Sequence, residues 1–242
     1  MMKNKENENV TMRMPLAHRI QHIVLIFSFV LLILSGMPVR YYDAPLSGFL
    51  LKLMGGMQMR GVIHRLGAVL LIGLCVFHLG GLLFLSRARE EMKEFFPRLK
   101  DITDMAHHMF YNLGRRHDPP RYGKYNFIEK FEYLAVAWGS VVMILTGLIL
   151  WHENLFLSLI PKWLWDAARV AHSYEAVLAF LAIIIWHFYN VHLNPEVFPM
   201  SRVWLDGKIT EEELKKHHPL QYEKMMKERM QTEELEGGDE NF

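Results

Sequence analysis

Residues 66–86 decide the fold: the stretch LGAVLLIGLCVFHLGGLLFLS contains no Asp, Glu, Lys or Arg. Three further windows share this property, namely 20–39, 133–151 and 176–195. Each window is 19 to 21 residues long. A helix that rises about 1.5 Å per residue needs such a length to cross roughly 30 Å of hydrocarbon. The sequence therefore predicts four membrane-spanning helices.

The predicted fold class is all-α: an integral membrane four-helix bundle with a charged cytoplasmic loop and C-terminal helices. The predicted segments are an N-tail at 1–19, a bundle at 20–195 with helices at about 20–39, 62–86, 132–151 and 168–193, a loop at 87–131 and a C-tail at 196–242. Charged residues with helical spacing predict surface helices in 87–113 and 209–234. No internal repeat is evident.

The distribution of basic residues predicts the orientation. The N-tail, the 87–131 loop and the C-tail carry 21 of the 27 Lys and Arg residues. Because short cytoplasmic segments are enriched in Lys and Arg, both termini and the long loop are expected in the cytoplasm. The first apolar window is followed by no small-residue cleavage site, so we expect no removed signal peptide. The prediction is a multi-pass protein of a bacterial or archaeal inner membrane, in contact with lipid.

Composition excludes several classes of protein. Cys75 is the only cysteine, so the chain can form no internal disulfide, cysteine-ligated iron–sulfur cluster or zinc ribbon. No CxxCH sequence for covalent haem attachment is present. The formal net charge of +1 gives no sign of nucleic-acid binding. No nucleotide-binding motif occurs either.

Histidines inside the apolar helices are the candidate functional residues, because ionisable side chains at that depth are costly. The second helix carries His64 and His78, and the fourth carries His172 and His187. A 14-residue step rises roughly 21 Å and ends about 40° short of whole turns, whereas a 15-residue step overshoots by about 60°. Both histidines of each helix therefore lie on broadly one face. Since the two helices run in the same direction, their histidines form two level pairs, which predicts two b haems with histidine-ligated iron, one near each membrane surface.

His22 offers an alternative ligand. It lies near the cytoplasmic end of the first helix, at about the depth of His78 and His187. It could ligate the lower haem in place of His78, or donate a hydrogen bond to a haem propionate or a quinone. The doublet His217–His218 lies in a polar segment and is expected at the surface.

Short motifs in a fixed order carry a family resemblance. They are RIQH at 19–22, GVIH at 61–64, GKYN at 123–126, the pair His172 and His187, GK at 207–208 and KKHHP at 215–219. With these motifs the sequence resembles the cytochrome b (gamma) subunits of respiratory formate dehydrogenases. That family is related to the b-type cytochromes of membrane-bound hydrogenases.

The resemblance implies a four-helix subunit with two haems b. It implies that His64 and His172 hold the periplasmic haem, that His22 and His187 hold the cytoplasmic one, and that a menaquinone site lies close to Asn126. The sequence departs from the family by adding His78 and by a spacing of 15 rather than 14 in the fourth helix. Both departures are similar to cytochrome b of quinol–cytochrome c reductases, whose second and fourth helices supply all four ligands. Both pairings of His187 stay open, with a slight preference for His78, which has no other evident partner.

The predicted function is a transmembrane electron conduit, the electron-transfer subunit of a membrane oxidoreductase complex. Electrons would pass between a periplasmic oxidoreductase or multihaem cytochrome and menaquinone or another quinone. Asn126, Lys124 and Tyr125, together with Glu129, are the candidates for binding the quinone head and relaying protons. The alternatives are a non-redox membrane anchor for a peripheral oxidoreductase and a self-contained reductase of a small substrate.

Overall fold

The computed structural model describes residues 10–239, with side chains to residue 234. In chain order its elements are β1 (Val10–Met12), α1 (Leu16–Arg40), α2 (Pro45–Leu53), α3 (Gly56–Phe84), α4 (Ser86–Phe95), α5 (Leu99–Asn112), α6 (Phe127–Trp151), α7 (Glu153–Leu159), α8 (Lys162–Leu181, continued by π-helical turns at Ala182–His187 and Tyr189–Leu193), α9 (Val203–Asp206), β2 (Lys208–Thr210), α10 (Glu211–His217) and α11 (Pro219–Asp239).

Four of these helices are long and apolar enough to span a membrane. α1, α3, α6 and α8 with its π turns have 25, 29, 25 and 32 residues. Large apolar side chains point outward, as with Phe84 at 83% and Trp138 at 70% exposure, whereas the buried positions of α1 are Ser28, Ser35 and Pro38. An apolar exterior around a small-residue interior is typical of a bundle surrounded by lipid. The prediction of an all-α integral membrane bundle is confirmed.

The four long helices form a closed ring in which α1 packs on α3, α3 on α6, α6 on α8 and α8 on α1. Where α1 packs on α3, the Ser28 hydroxyl donates a hydrogen bond to the Gly67 carbonyl at 3.1 Å. A side chain at Gly67 would meet Leu31 and Leu32 at 3.1–3.3 Å. We call the end where α1 begins and α8 finishes the tail end; the long segment between α3 and α6 also lies there. We call the opposite end, which carries the two short connections from α1 to α3 and from α6 to α8, the loop end.

The helices begin earlier than the uncharged windows predict. α3 starts at Gly56 rather than near 62, α6 at Phe127 rather than 132, and α8 at Lys162 rather than 168. The windows marked only the apolar part of each helix, and the first turns carry polar residues. At α6 a capping box fixes the start: the Asn126 side chain accepts from the Glu129 amide, and the Glu129 carboxylate accepts from the Asn126 amide, both at 2.8 Å.

The segments before α1 and after α8 join at the tail end. β1 and β2 pair antiparallel, with Val10 opposite Thr210. His218 is only 6% exposed, so the expectation of a surface position is wrong for this residue. Its Nδ1–H donates to the Gly123 carbonyl at 2.8 Å, and its Nε2 lies 3.2 Å from the Arg13 guanidinium. Burial and that guanidinium both lower the pKa of His218, which keeps the ring neutral and its Nε2 able to accept.

A buried ion pair joins α5 to the start of α6. Lys130 is 7% exposed, and its Nζ lies 2.9 Å from both carboxylate oxygens of Asp101. Removing one partner of a buried pair leaves the other charged and unpaired, which costs far more than losing an exposed pair.

We expect Asp101→Asn to lower the free energy of unfolding by about 3 kcal/mol, because the Lys130 ammonium stays buried without its counter-charge. The matched control is Glu94→Gln, which breaks the exposed pair with Arg98 and should change stability by less than about 0.5 kcal/mol. Thermal denaturation of both variants in the same detergent measures the difference. Equal melting temperatures for the two variants would contradict the assignment.

Candidate functional site

Two imidazole rings face each other between α3 and α8 in the loop-end half of the bundle. The ring centroids of His64 and His172 lie 6.3 Å apart, with an interplanar angle of 65°. A metal–imidazole bond is about 2 Å long and the nitrogen lies about 1 Å from its ring centre, so two axial imidazoles on one metal have centroids roughly 6 Å apart. The pair therefore has the separation of two axial ligands of one iron atom.

A hydroxyl group on the neighbouring helix orients each of these rings. Ser35 Oγ lies 2.9 Å from His64 Nδ1, and Thr146 Oγ1 lies 2.9 Å from His172 Nδ1. Each hydroxyl donates its single proton to the carbonyl four residues earlier in its own helix, at 2.5 and 2.6 Å. The hydroxyls must therefore accept from Nδ1–H, which leaves the lone pair on Nε2, the nitrogen available for a metal.

A glycine follows each of these hydroxyl residues and makes room for the ring. A side chain at Gly36 would lie 3.3 Å from the Cε1 atom of His64, and one at Gly147 would lie 3.2 Å from the Cε1 atom of His172. Both contacts are tighter than ordinary van der Waals distances. The two histidines thus lie in matching cradles, one on α1 and the other on α6.

A second pair with the same geometry lies towards the tail end. The ring centroids of His22 and His187 lie 6.3 Å apart at an interplanar angle of 63°. His187 Nδ1 lies 2.9 Å from Glu132 Oε2, so here a carboxylate takes the role that a hydroxyl has at the first pair. The buried Nδ1 of His22 has no hydrogen-bond partner among the described residues, and its ring packs edge-on against Trp204.

The π-helical turn explains the longer histidine spacing in α8. The backbone is π-helical from Ala182 to His187, and a π turn accommodates one more residue than an α turn. The 15-residue step from His172 to His187 therefore covers the same helical advance as the 14-residue step from His64 to His78. The departure in spacing is absorbed locally and does not rotate His187 away from the bundle interior.

His78 does not face His187 in the structure. Its Nδ1 lies 2.9 Å from Gln21 Oε1 and its Nε2 lies 3.0 Å from the Tyr133 hydroxyl. The preference for His78 over His22 as the partner of His187 is therefore not supported. That preference assumed that His78 had no other partner, and the packing of α3 on α6 supplies two.

The quinone candidates lie at the start of α6, with a different set of contacts for each. Asn126 is the N-cap of α6, and its carboxamide oxygen accepts a hydrogen bond from the Glu129 backbone N–H. The Tyr125 ring stacks on Phe95 with centroids 3.9 Å apart, and burial, the largest cause, raises the pKa of Tyr125 to about 12. Lys124 Nζ lies 5.4 Å from the Tyr125 ring centre. The structure thus assigns Asn126 a capping role and puts Tyr125 in an aromatic cluster.

Sequence reasoning missed the residues that orient the histidines. The signal was a repeat of three residues, LSG at 34–36 and LTG at 145–147, which supplies both hydroxyls and both glycines. The two copies are 111 residues apart, and the same offset relates Gln21 to Glu132. The expectation of no internal repeat therefore overlooked a short one.

Comparison with known proteins identifies the family. A profile of the prokaryotic cytochrome b561 family matches residues 13–199. The chain belongs to this family. It is 23% identical over 216 residues, 89% of this chain and 92% of the relative, to the cytochrome b556 subunit of the nitrate-inducible formate dehydrogenase of Escherichia coli. A formate dehydrogenase cytochrome b556 subunit of Haemophilus influenzae is 23% identical over 204 residues, 84% of this chain and 79% of the relative.

These matches confirm the predicted resemblance. The protein is a multi-pass membrane b-type cytochrome of electron transport, whose prosthetic group is haem b. Its imidazole pairs suit that group on their own geometry. The 6.3 Å centroid separations match axial ligation, and the Nδ1 contacts leave Nε2 free at His64 and His172.

We expect Gly36→Ala and Gly147→Ala to perturb haem binding, because each added methyl group presses on an imidazole that its hydroxyl partner holds in place. Gly73→Ala in α3 is the matched control, since nothing lies within 4 Å of a side chain there. The electron paramagnetic resonance signal of the low-spin haem and the haem content measure the effect. Signals from all three variants that match the unmodified protein would contradict the cradle.

Proposed function

We propose that the protein is a transmembrane electron-transfer subunit that binds two b haems, one in each half of the bundle. The observation that carries the proposal is the repetition of one geometry: two imidazole pairs, each with centroids 6.3 Å apart and planes 63–65° apart. His64 and His172 would bind one haem, and His22 and His187 the other. When bound, haem b supplies one-electron redox chemistry.

The residues of this chain suit outer-sphere electron transfer. An iron held by two histidines would have no position left for oxygen or a substrate. Because of the π turn, the 15-residue step from His172 to His187 covers the advance of 14 α-helical residues and separates the two pairs by roughly 21 Å along the helix. The two levels therefore lie near opposite surfaces of the membrane, a spacing that suits transfer of electrons across it.

We propose that the tail end is cytoplasmic. The basic residues support this orientation, because the N-tail, the 87–131 loop and the C-tail carry 21 of the 27 Lys and Arg residues. The protein would then lie in a bacterial or archaeal inner membrane, with the His64 and His172 pair near the periplasm.

The proposed partners follow from the relatives and the topology. The matched proteins of Escherichia coli and Haemophilus influenzae are cytochrome subunits of formate dehydrogenases. By analogy, a periplasmic oxidoreductase would exchange electrons with the pair at the loop end. Menaquinone or another quinone would exchange them at the tail end, where Lys124, Tyr125 and Asn126 lie close to the membrane surface. Asn126 would act there by holding the start of α6 rather than by binding the quinone through its carboxamide oxygen.

The ligand assignment predicts separate losses of haem. His172→Ala should remove one of two haems and His187→Ala the other, because each variant leaves one imidazole pair complete. His22→Ala should also remove the tail-end haem, whereas His78→Ala should retain both, since His78 contacts Gln21 and Tyr133 instead. A pyridine haemochrome assay on purified protein counts the haems.

The same assay separates the alternatives. A haem-free unmodified protein would favour a non-redox membrane anchor. Loss of haem in His78→Ala with full retention in His22→Ala would reverse the pairing at the tail end.

The Glu132 carboxylate predicts a difference between the two haem potentials. A carboxylate that accepts from Nδ1–H makes the imidazole a stronger donor and favours ferric iron. Glu132→Gln should therefore raise the midpoint potential of the tail-end haem. A charged hydrogen bond exceeds a neutral one by about 1 kcal/mol, which for one electron corresponds to about 40 mV. Redox titration measures the shift. The loop-end haem is the internal control, because its proposed ligands His64 and His172 are hydrogen-bonded to hydroxyl groups instead of a carboxylate. A shift of both haems or of neither would contradict this role.

A further inference from the structure

A second polar site lies between α3 and α6 at the tail end, outside the proposed haem ligands. His78 Nδ1 lies 2.9 Å from Gln21 Oε1, and His78 Nε2 lies 3.0 Å from the Tyr133 hydroxyl. Because the Gln21 oxygen can only accept, Nδ1 carries the proton. The Nε2 lone pair therefore accepts from the Tyr133 O–H. The neutral His78 ring thus presents a basic nitrogen to the phenol of Tyr133.

This site repeats the arrangement around His187 on the other side of the bundle. The offset of 111 residues that relates the LSG and LTG triplets also relates Gln21 to Glu132 and His22 to Tyr133. Gln21 contacts His78 Nδ1 at 2.9 Å, just as Glu132 contacts His187 Nδ1 at 2.9 Å. The copy differs in one respect: a phenol stands opposite His78, where an imidazole stands opposite His187. The second site therefore lacks the paired imidazoles of a bis-histidine haem.

The surroundings suit a flat apolar molecule that carries a hydrogen-bonding oxygen. The Phe95 ring lies 4.7 Å from the Tyr133 ring and 3.9 Å from the Tyr125 ring, which forms an aromatic cluster beside the pair. His78 and Tyr133 are half-buried, and the adjacent Phe77 is 64% exposed on the outer surface of α3. A titratable pair at this depth is energetically costly and is therefore typical of a functional site. The pair is open to molecules dissolved in the lipid.

We propose that His78 and Tyr133 bind the head group of a quinone and that His78 exchanges a proton with it. This inference rests on the proposed function and deepens it by naming residues that contact the substrate. The quinol hydroxyl donates to His78 Nε2 in place of Tyr133, and the Tyr133 O–H donates to the same quinone oxygen. Gln21 is a positioning residue that holds Nδ1 protonated and Nε2 basic.

Each proton and electron released from the quinol has an acceptor. Oxidation of a quinol breaks two O–H bonds and releases two protons and two electrons. His78 Nε2 accepts the proton from the oxygen that it binds, and the second proton leaves to water at the tail end. The two electrons would leave to the haem that His22 and His187 would hold, which supplies one-electron redox chemistry when bound. Quinone reduction follows the same path in reverse.

The test uses His78→Gln and Tyr133→Phe in the full-length haem-loaded protein, with menadiol as the quinol. The Tyr133 change removes one oxygen atom and keeps the ring on Phe95. We expect both variants to retain two haems and to be reduced fully by dithionite. The rate of haem reduction by menadiol should fall about a hundredfold in His78→Gln, the usual contribution of a general base. In Tyr133→Phe it should fall severalfold, with a higher menadiol concentration needed for half the maximal rate. Tyr42→Phe is the control, the same change at a 68% exposed ring at the loop end, and should react like the unmodified protein.

The outcomes separate this inference from the proposed function. If menadiol does not reduce the unmodified protein although dithionite does, the proposed quinone-linked function fails and this inference fails with it. If menadiol reduces both variants at the unmodified rate, the function stands and the His78 and Tyr133 site is overturned. Loss of one haem in His78→Gln would also overturn it, by assigning His78 to haem binding.

Discussion

The hydrogen bond on the Nδ1 side of the histidines of α3 and α8 is the constraint on which the site depends. An imidazole in hydrocarbon must satisfy its N–H, since an unpaired polar group there costs several kcal/mol. At His64 and His172 the acceptor is a hydroxyl whose own proton is bound to its helix backbone. The bond therefore sets the tautomer and the ring direction together, and it requires α1 to lie against α3 and α6 against α8. The adjacent glycines permit that approach.

The bundle applies one arrangement twice and lets the copies diverge towards the tail end. Both halves carry a Leu-Ser/Thr-Gly triplet against a histidine, and these histidines meet at the centre of the loop-end half. Towards the tail end, Gln21 and His22 in one copy stand where the other copy has Glu132 and Tyr133, which gives two unlike sites. A carboxylate orients His187 opposite an imidazole, while a carboxamide orients His78 opposite a phenol. The matching positions differ in one side chain: His22 lies opposite His187, whereas Tyr133 lies opposite His78.

The tail segments have a structural reason for their motifs. The GKYN motif supplies the Gly123 carbonyl and the Asn126 cap, and the KKHHP motif supplies the buried His218 that bonds that carbonyl. Arg13 joins both, since its guanidinium contacts Glu129, His218 and Gln221. These contacts hold the start of α6, and therefore Glu132 and Tyr133 one turn further on, in register with α8 and α3. Motifs outside the membrane thus stabilise side chains inside it.

The sequence by itself determined the fold class and the histidines worth considering, because helix length against membrane thickness and the cost of buried polar groups act along one chain. It also located His64, His172 and His187, whose periodicity is a property of single helices. The ring that lies opposite His187 depended on which helices touch: His22 lies there because α1 packs on α8, and His78 contacts Tyr133 instead because α3 packs on α6. The burial of His218 likewise depended on a contact between segments 95 residues apart in the chain. The π turn, which returns His187 to the bundle interior, is a local backbone adjustment that periodicity alone does not encode; it arises where one extra residue must fit between two fixed contacts.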